Sequence, residues 1–362
     1  MGHPKDAVYV AVLPAYRRAC IDALLNQAPA VALFASPEHL DRSVRTAIDP
    51  DLYRSVPMYR FAGKMFLQGG PLISLLRVRN LIVDLNPRSL TAWMLLVARS
   101  FARGRRTVVW GHLFPRQGST SPTGFLRRFM VRLSDGVIAY TYSQARDFRN
   151  DERSPARPLW VAPNSLYATE DLTVGPPSDR IALLYVGRLE QSKKVDLLVP
   201  AFAEARRRGV VGVDAKLIVV GTGAREESMR AMARKLDVDG STIFVGEVYE
   251  VDELRAIYGT SFASLSPGFA GLGLTQSLGF GVPQIINKHE MHSPEIELAE
   301  AGGVIWFDAD SPRDLPTAMG LAYDQRARIP NVSAVQLIAK TYSAERMARG
   351  LLAALQGVPD EA

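Results

Sequence analysis

Between residues 185 and 198 an apolar run ends at a glycine, passes two cations and enters an amphipathic stretch: Tyr185-Val186-Gly187-Arg188-Leu189-Glu190-Gln191-Ser192-Lys193-Lys194-Val195-Asp196-Leu197-Leu198. Read as strand, turn and helix, this arrangement suits a diphosphate. Gly187 lets backbone approach a ligand closely, the helix start offers unpaired N–H groups, and Arg188 and Lys193 supply positive charge. The same cations also fit a solvated loop edge. A second glycine turn, Gly221-Thr222-Gly223, follows the apolar run Leu217 to Val220, but lacks the third glycine of a dinucleotide fingerprint. In Gly271-Leu272-Gly273-Leu274-Thr275-Gln276 the glycines would bring backbone N–H groups to phosphates at another helix start. His112 closes the run Thr107-Val108-Val109-Trp110-Gly111, and Asn86-Pro87-Arg88-Ser89 follows a run ending at Asp84, which makes Arg88 a candidate anion contact.

Metal chemistry is disfavoured. His289 and His292, with Glu290 and Glu295, have an H-x-x-H spacing rather than the i,i+4 pair of zinc hydrolases. The D-x-D triplets at Asp49/Asp51, Asp237/Asp239 and Asp308/Asp310 sit beside Gly, Pro or Ser and read as turns and caps.

The elements that must position these residues repeat a parallel-sheet rhythm. Ala7–Leu13, Ala30–Ser36, Asn80–Asp84, Arg106–Trp110 and Gly136–Tyr140 read as strands in the first half. Ile181–Val186, Lys216–Val220, Thr242–Val245, Phe262–Leu265, Gln284–Ile286 and Val304–Phe307 do so in the second. A helix is expected over 196–208, ended by Gly209. The polar stretch 169–180, with Gly175-Pro176-Pro177-Ser178, is the expected linker. The fold class is therefore α/β, with two doubly wound domains over residues 1–170 and 171–341, and a helix near 342–362 returning to the first. Such sheets bind ligands outside the carboxyl ends of their strands, and the cleft between two of them is the default site.

At 362 residues, 47% hydrophobic and 22% charged, the chain is large enough for two cores. Its single cysteine, Cys20, lies in an apolar helical stretch, which favours a buried thiol and a reducing, cytoplasmic home. The apolar run Ala7 to Leu13 is too brief for a secretory signal, and Thr91 to Ala98, stopped by Arg99, is too short to span a bilayer. Residues 1–175 carry 23 Lys and Arg against 13 Asp and Glu, whereas residues 176–362 carry 20 against 24. Within the basic half, Gly124 to Leu133 is amphipathic and follows Arg99, Arg103, Arg105, Arg106 and Arg116. It suits either an anionic membrane surface or a core helix whose arginines face water. No interleaved aromatic platform supports nucleic acid.

The motifs taken in order resemble the retaining glycosyltransferases of the two-domain GT-B fold, the fourth sequence family, known as glycosyl transferases group 1. The resemblance covers most of the chain. The family pattern V-G-R-L-x-x-x-K, whose Arg and Lys hold the donor diphosphate, falls on Arg188 and Lys193. Gly221 and Gly223 resemble its turn near the base, and Phe244-Val245-Gly246-Glu247-Val248 resembles the F-x-G-x-V segment whose backbone at Val245 and Gly246 meets the nucleobase. The usual pair of glutamates, for donor sugar and ribose, falls on Gly268 and Gln276; an amide at 276 still hydrogen-bonds a ribose, more weakly than a carboxylate. Ser266-Pro267-Gly268 with Gly271-Leu272, Pro294-Glu295 and Trp110-Gly111-His112 match a subgroup that varies there, and place His112 near the donor sugar. Pro163-Asn164-Ser165 resembles an architectural P-N-G.

The resemblance implies retention, no metal and no cofactor beyond the nucleotide-sugar co-substrate, with UDP the expected carrier. The acceptor is a saccharide, a lipid-linked molecule or a small molecule, with Asn86 and Arg88 on its side. A cytoplasmic enzyme is the expectation, with peripheral contact at the inner face of the membrane one of the two readings left open for 124–133. A catalytically silent nucleotide-sugar-binding partner protein, and an epimerase or phosphorylase of the same fold, remain alternatives.

Overall fold

The computed structural model describes residues 4–40, 45–102, 104–114, 122–175 and 179–359; Arg103 and Arg116 lie outside them. The chain divides into two compact units, Met1–Ala168 with Tyr342–Ala362, and Thr169–Thr341.

The strands of the first unit are β1 (Asp6–Tyr9), β2 (Ala32–Ala35), β3 (Arg54–Ser55), β4 (Met58–Phe61), β5 (Met65–Gln68), β6 (Asn80–Asp84), β7 (Arg106–Trp110), β8 (Gly136–Ala139) and β9 (Leu159–Val161). Seven form a parallel sheet in the order β3-β2-β1-β6-β7-β8-β9, while β4 and β5 pair as an antiparallel hairpin. Runs such as Ala7-Val8-Tyr9 and Leu81-Ile82-Val83 are apolar without alternation because helices cover both faces. Those helices are α1 (Arg18–Gln27), α2 (Leu72–Arg77), α3 (Leu90–Ser100), α4 (Pro122–Leu133) and α5 (Tyr142–Asn150). One core joins Cys20, Ile21 and Leu24 of α1 to the sheet, and desolvation there pushes the Cys20 thiol up to about 12. The other joins Leu75, Leu95, Leu96, Met130 and Phe148 to the opposite face.

Arg99, expected as part of a basic surface, is 3% exposed. Its guanidinium donates to Thr107 Oγ1 at 2.7 Å and to the carbonyls of Leu75, Val78 and Arg106 at 2.7, 2.8 and 2.9 Å. It thus caps the carbonyl end of α2, where no intrahelical donor is available. Desolvation lowers its pKa to about 10.

The second unit contains β10 (Ala182–Val186), β11 (Lys216–Val220), β12 (Thr242–Gly246), β13 (Ser261–Ser266), β14 (Gln284–Asn287) and β15 (Val304–Phe307), parallel in the order β12-β11-β10-β13-β14-β15. Its helices are α6 (Leu198–Arg207), α7 (Glu226–Lys235), α8 (Val251–Gly259), α9 (Leu272–Gly279), α10 (Asp314–Asp324) and α11 (Val332–Thr341). The helix expected over 196–208 begins as a tight turn, Val195–Leu197, because Lys194 takes a left-handed conformation at φ +52°. The chain then returns to the first unit as α12 (Ala344–Gln356), which Ser343 caps and Gly357 ends at φ +69°.

Both sheets are Rossmann-like. Strand order reverses between β1 and β6 in one and between β10 and β13 in the other, and the crevice outside such a reversal is where open α/β sheets bind ligands.

Candidate functional site

In the second unit, the loop after β10 and the loop after β13 meet at the reversal. Gly187 leaves β10 at φ +154°, and its N–H donates to Val220 O at 3.0 Å. Leu189 N–H donates to Thr222 O at 2.9 Å, and Gly221 N–H to Gly246 O at 2.6 Å. A Cβ on Gly221 would run into the Gly187 carbonyl, and one on Gly223 into that of Leu189. The Gly221–Gly223 turn therefore shores up the Arg188 loop with its own backbone. Val245 and Gly246 end β12 beside it, with Val245 exposed and Gly246 at φ +86°. Thr222 and Tyr249 hydroxyls both donate to Glu247 at 2.8 Å, and these bonds hold its carboxyl below the usual range.

Arg188 is 57% exposed, with Glu190 at 3.1 Å. Lys193 Nζ lies 3.4 Å from the Phe269 carbonyl and 3.4 Å from the centroid of that ring, so it is drawn against the loop after β13. Lys194 pairs with Glu290 at 2.5 Å. A Cβ on Gly268 would stand 2.8–2.9 Å from the Cα, C and O of Lys193. The missing carboxylate has a steric cause: the Lys193 backbone fills the space a side chain at 268 would need.

Gly271 is the N-cap of α9, and its carbonyl accepts Leu274 N–H at 2.8 Å. Leu272 and Gly273 stand in the first turn, where amides lack intrahelical acceptors. Leu274, grouped with them by sequence, is wholly buried and its amide is spent, so it serves the core. Gln276 is 8% exposed, its Oε1 accepting the Tyr258 hydroxyl at 3.1 Å; the amide read as a ribose partner is held inside the unit. His292 Nδ1 accepts Ala270 N–H at 3.0 Å, and burial lowers its pKa, which keeps the ring neutral for that bond.

The His289, Glu290, His292 and Glu295 set divides among separate partners. His289 Nε2 lies 3.2 Å from Asp308, Glu290 pairs with Lys194, and His292 holds Ala270. Ligand atoms of His289, Asp308 and Asp310 lie within 4.8 Å of one another. Lys288 Nζ already occupies Asp308 at 3.0 Å and is the main cause holding its carboxyl near about 2. Asp308 and Asp49 also accept the N–H two residues on, each at 3.0 Å, which is the turn chemistry expected of those triplets.

In the first unit, an open pocket of about 700 Å³ lies at the ends of β1, β6, β7 and β8, lined by Asp84, Arg88, His112, Arg127 and Tyr140 among others. Asn86 also lines it, its Oδ1 accepting Arg88 N–H at 3.1 Å, a turn that leaves the Arg88 side chain exposed. Asp84 accepts the Ala11 N–H. Desolvation pushes its carboxyl up to about 6, against the pull of the Ala11 amide and Arg17. Arg17, buried, stacks 4.1 Å over Trp110 and donates to Tyr140 Oη at 2.8 Å. His112 is exposed and edge-on to Tyr140 at 4.8 Å, while Arg127 donates to the His112 and Leu85 carbonyls at 2.7 Å each. Sequence reasoning missed Asp84, Arg17, Arg127 and Tyr140 as pocket residues. One signal was there: Asp84 is the single acidic residue between Asp51 and Asp135.

Residues 170–323 match the family model described as glycosyl transferases group 1. The N-acetyl-alpha-D-glucosaminyl L-malate synthase of Bacillus anthracis is 26% identical over 177 residues, which span 46% of this chain and 45% of that relative. HepE of Anabaena, solved in complex with UDP, is similar over 98% of this chain and 100% of its own, with a TM-score of 0.67 at 11% identity. The lipopolysaccharide outer core galactosyltransferase WaaB is similar over 97% of this chain and 99% of its own, with a TM-score of 0.61 at 13% identity. The chain thus has the GT-B fold.

Proposed function

We propose that the protein transfers a glycosyl group from a UDP-sugar held by the second unit to the hydroxyl of an acceptor held by the first, with retention at the anomeric carbon. The observation that carries this is the loop 187–193 at the strand reversal of the second unit, which bears two cations and packs, through Lys193, against the loop that leads into α9. In support, that loop lies within the matched group 1 segment, and HepE of the same fold is known with UDP-glucose. The C–O bond from sugar to phosphate breaks with its electrons passing to the diphosphate, a bond forms to the acceptor oxygen, and the proton of the acceptor hydroxyl goes to the departing phosphate oxygen. Arg188, Lys193 and the first-turn amides of α9 stabilise the charge that develops on the leaving group, which is the dominant need of such a reaction. Val245 and Gly246 flank the base, and His112 lies toward the sugar. Arg88 and Asp84 bind the acceptor's polar groups. Neither a metal nor a further cofactor takes part, and the reaction runs in the cytoplasm.

UDP release from UDP-glucose and UDP-N-acetylglucosamine tests the reading. Arg188→Ala and Lys193→Ala should each lower donor kcat/KM about 10- to 100-fold, and chelator should leave turnover unchanged. Wild-type rates in both variants would remove the diphosphate assignment. The buried Gln276 favours a second reading, a nucleotide-sugar-binding protein without transfer; UDP-sugar that raises Tm while no acceptor extract releases UDP would establish it.

A further inference from the structure

The amphipathic stretch in the basic half is turned the opposite way from a core helix with arginines outward. On α4, Arg127 faces the carbonyls of Leu85 and His112, and Arg128 is mostly buried, 3.6 Å from Asp151. Solvent meets Phe125, 65% exposed, with Leu126 and Phe129. Neighbouring α3 repeats this: Met94 and Val97 are exposed on its outer side, and Phe101, just past its end, is 84% exposed. The two rows share a seam, since the rings of Trp93 and Phe129 stand 5.8 Å apart. Six large apolar side chains in one patch are more than a soluble surface ordinarily carries, and such patches mark contact sites.

Charge selects the partner. Between Leu85 and Ser134 the sequence has no carboxylate and nine arginines, of which Arg99, Arg127 and Arg128 turn inward and Arg88, Arg105 and Arg132 are exposed. Arg132 stands at the end of α4 and Arg105 four residues past Phe101, and the Arg105 guanidinium also donates to the Leu76 carbonyl. Apolar rings flanked by long cationic side chains suit a bilayer interface, where the rings enter the acyl boundary and the guanidinium groups reach lipid phosphates. We infer that the outer face of α3 and α4 docks on an anionic lipid surface. The inference does not depend on the transferase reading. It has a consequence for it, because Thr123 and Arg127 of the same helix line the first unit's pocket, so docking holds that pocket at the lipid surface.

The experiment is co-sedimentation of the full chain with phosphatidylcholine vesicles, with and without phosphatidylglycerol, over a range of salt. Wild-type protein should bind only the anionic vesicles, and more weakly as salt rises. Phe125→Ser with Phe129→Ser should lower the partition constant about tenfold or more, and Arg132→Glu should weaken anionic binding alone. Circular dichroism melting and the Tm shift given by UDP check that these variants keep the fold and the donor site. No vesicle binding by the wild type, or equal binding by the double variant, would overturn the inference. So would a concentration-dependent dimer abolished by Phe125→Ser, which would make the face a contact between copies.

Discussion

A glutamate at position 268 would bring its Cβ to 2.8–2.9 Å from the backbone of Lys193, and backbone does not yield as a side chain end does. Restoring the carboxylate of the family pattern should therefore harm the protein. Gly268→Glu is expected to cost about 1–3 kcal/mol of stability and to displace Lys193, lowering donor turnover with it. Thermal melting and donor kinetics check both, and a variant with tighter UDP-sugar binding would sink the idea. Asp84 poses the opposite case. Its carboxyl is at about 6 in the folded chain against an ordinary 3.8, so between those values the folded protein binds the proton and the unfolded chain releases it. Stability from this group is complete in acid, falls as pH rises toward about 6, and stays low above it. Asp84→Asn should thus stabilise the protein by about 1–3 kcal/mol at neutral pH and by nothing near pH 4, as urea unfolding at the two pH values would read. The same substitution should slow transfer to acceptor while leaving UDP binding intact. A wild-type acceptor KM would take Asp84 out of the pocket's work.

Among elements, α2 depends most on one side chain. Its six residues are too few to hold by propensity, and Arg99 of α3 supplies donors to the carbonyls of Leu75 and Val78. Arg99→Ala leaves those carbonyls and Thr107 buried without that partner, a loss expected to exceed about 3 kcal/mol. Arg99→Lys should recover only part, since one ammonium cannot span four acceptors in the geometry of a planar fork. Equal melting temperatures for wild type and both variants would contradict this. Arg99 also marks the limit of what sequence makes legible. The sequence marks 124–133 as amphipathic and 91–98 only as an apolar run, and a face with phenylalanines and a face with arginines can each be the inner one until neighbours offer acceptors. The long apolar strands were legible because burial on both sides leaves uninterrupted runs. The hairpin β4–β5 and the short β3 were not, since Met58–Phe61 is largely exposed and carries no apolar signal of a buried strand. The loop after β10 was legible as strand, glycine and cations. The packing of Gly268 on Lys193, 75 residues earlier, was not, because spacing does not say which backbone passes a given Cα.

At the scale of the whole molecule, the first unit is completed only by the last residues of the chain. Ala344, Met347, Ala348, Leu351, Ala354 and Leu355 of α12 are buried in the same core as Cys20, Ile21 and Leu24 of α1. A Cβ at Gly350 would strike the Val161 carbonyl of β9, so this helix seats directly on the sheet. Trp160 Nε1 then holds the Val358 carbonyl at 2.7 Å. The second unit has a separate core, built from Leu183, Phe202, Leu217, Phe262 and Met319 among others. A cavity under α12 should therefore weaken one core and spare the other. Leu351→Ala is expected to destabilise the first unit by about 2–5 kcal/mol, and Gly350→Val to do more through the clash with β9. In calorimetry either change should lower one transition, while the transition that UDP raises stays where it was. If both transitions fell together, the two cores would be melting as a single cooperative unit and the division at residues 168 and 341 would have no thermodynamic meaning.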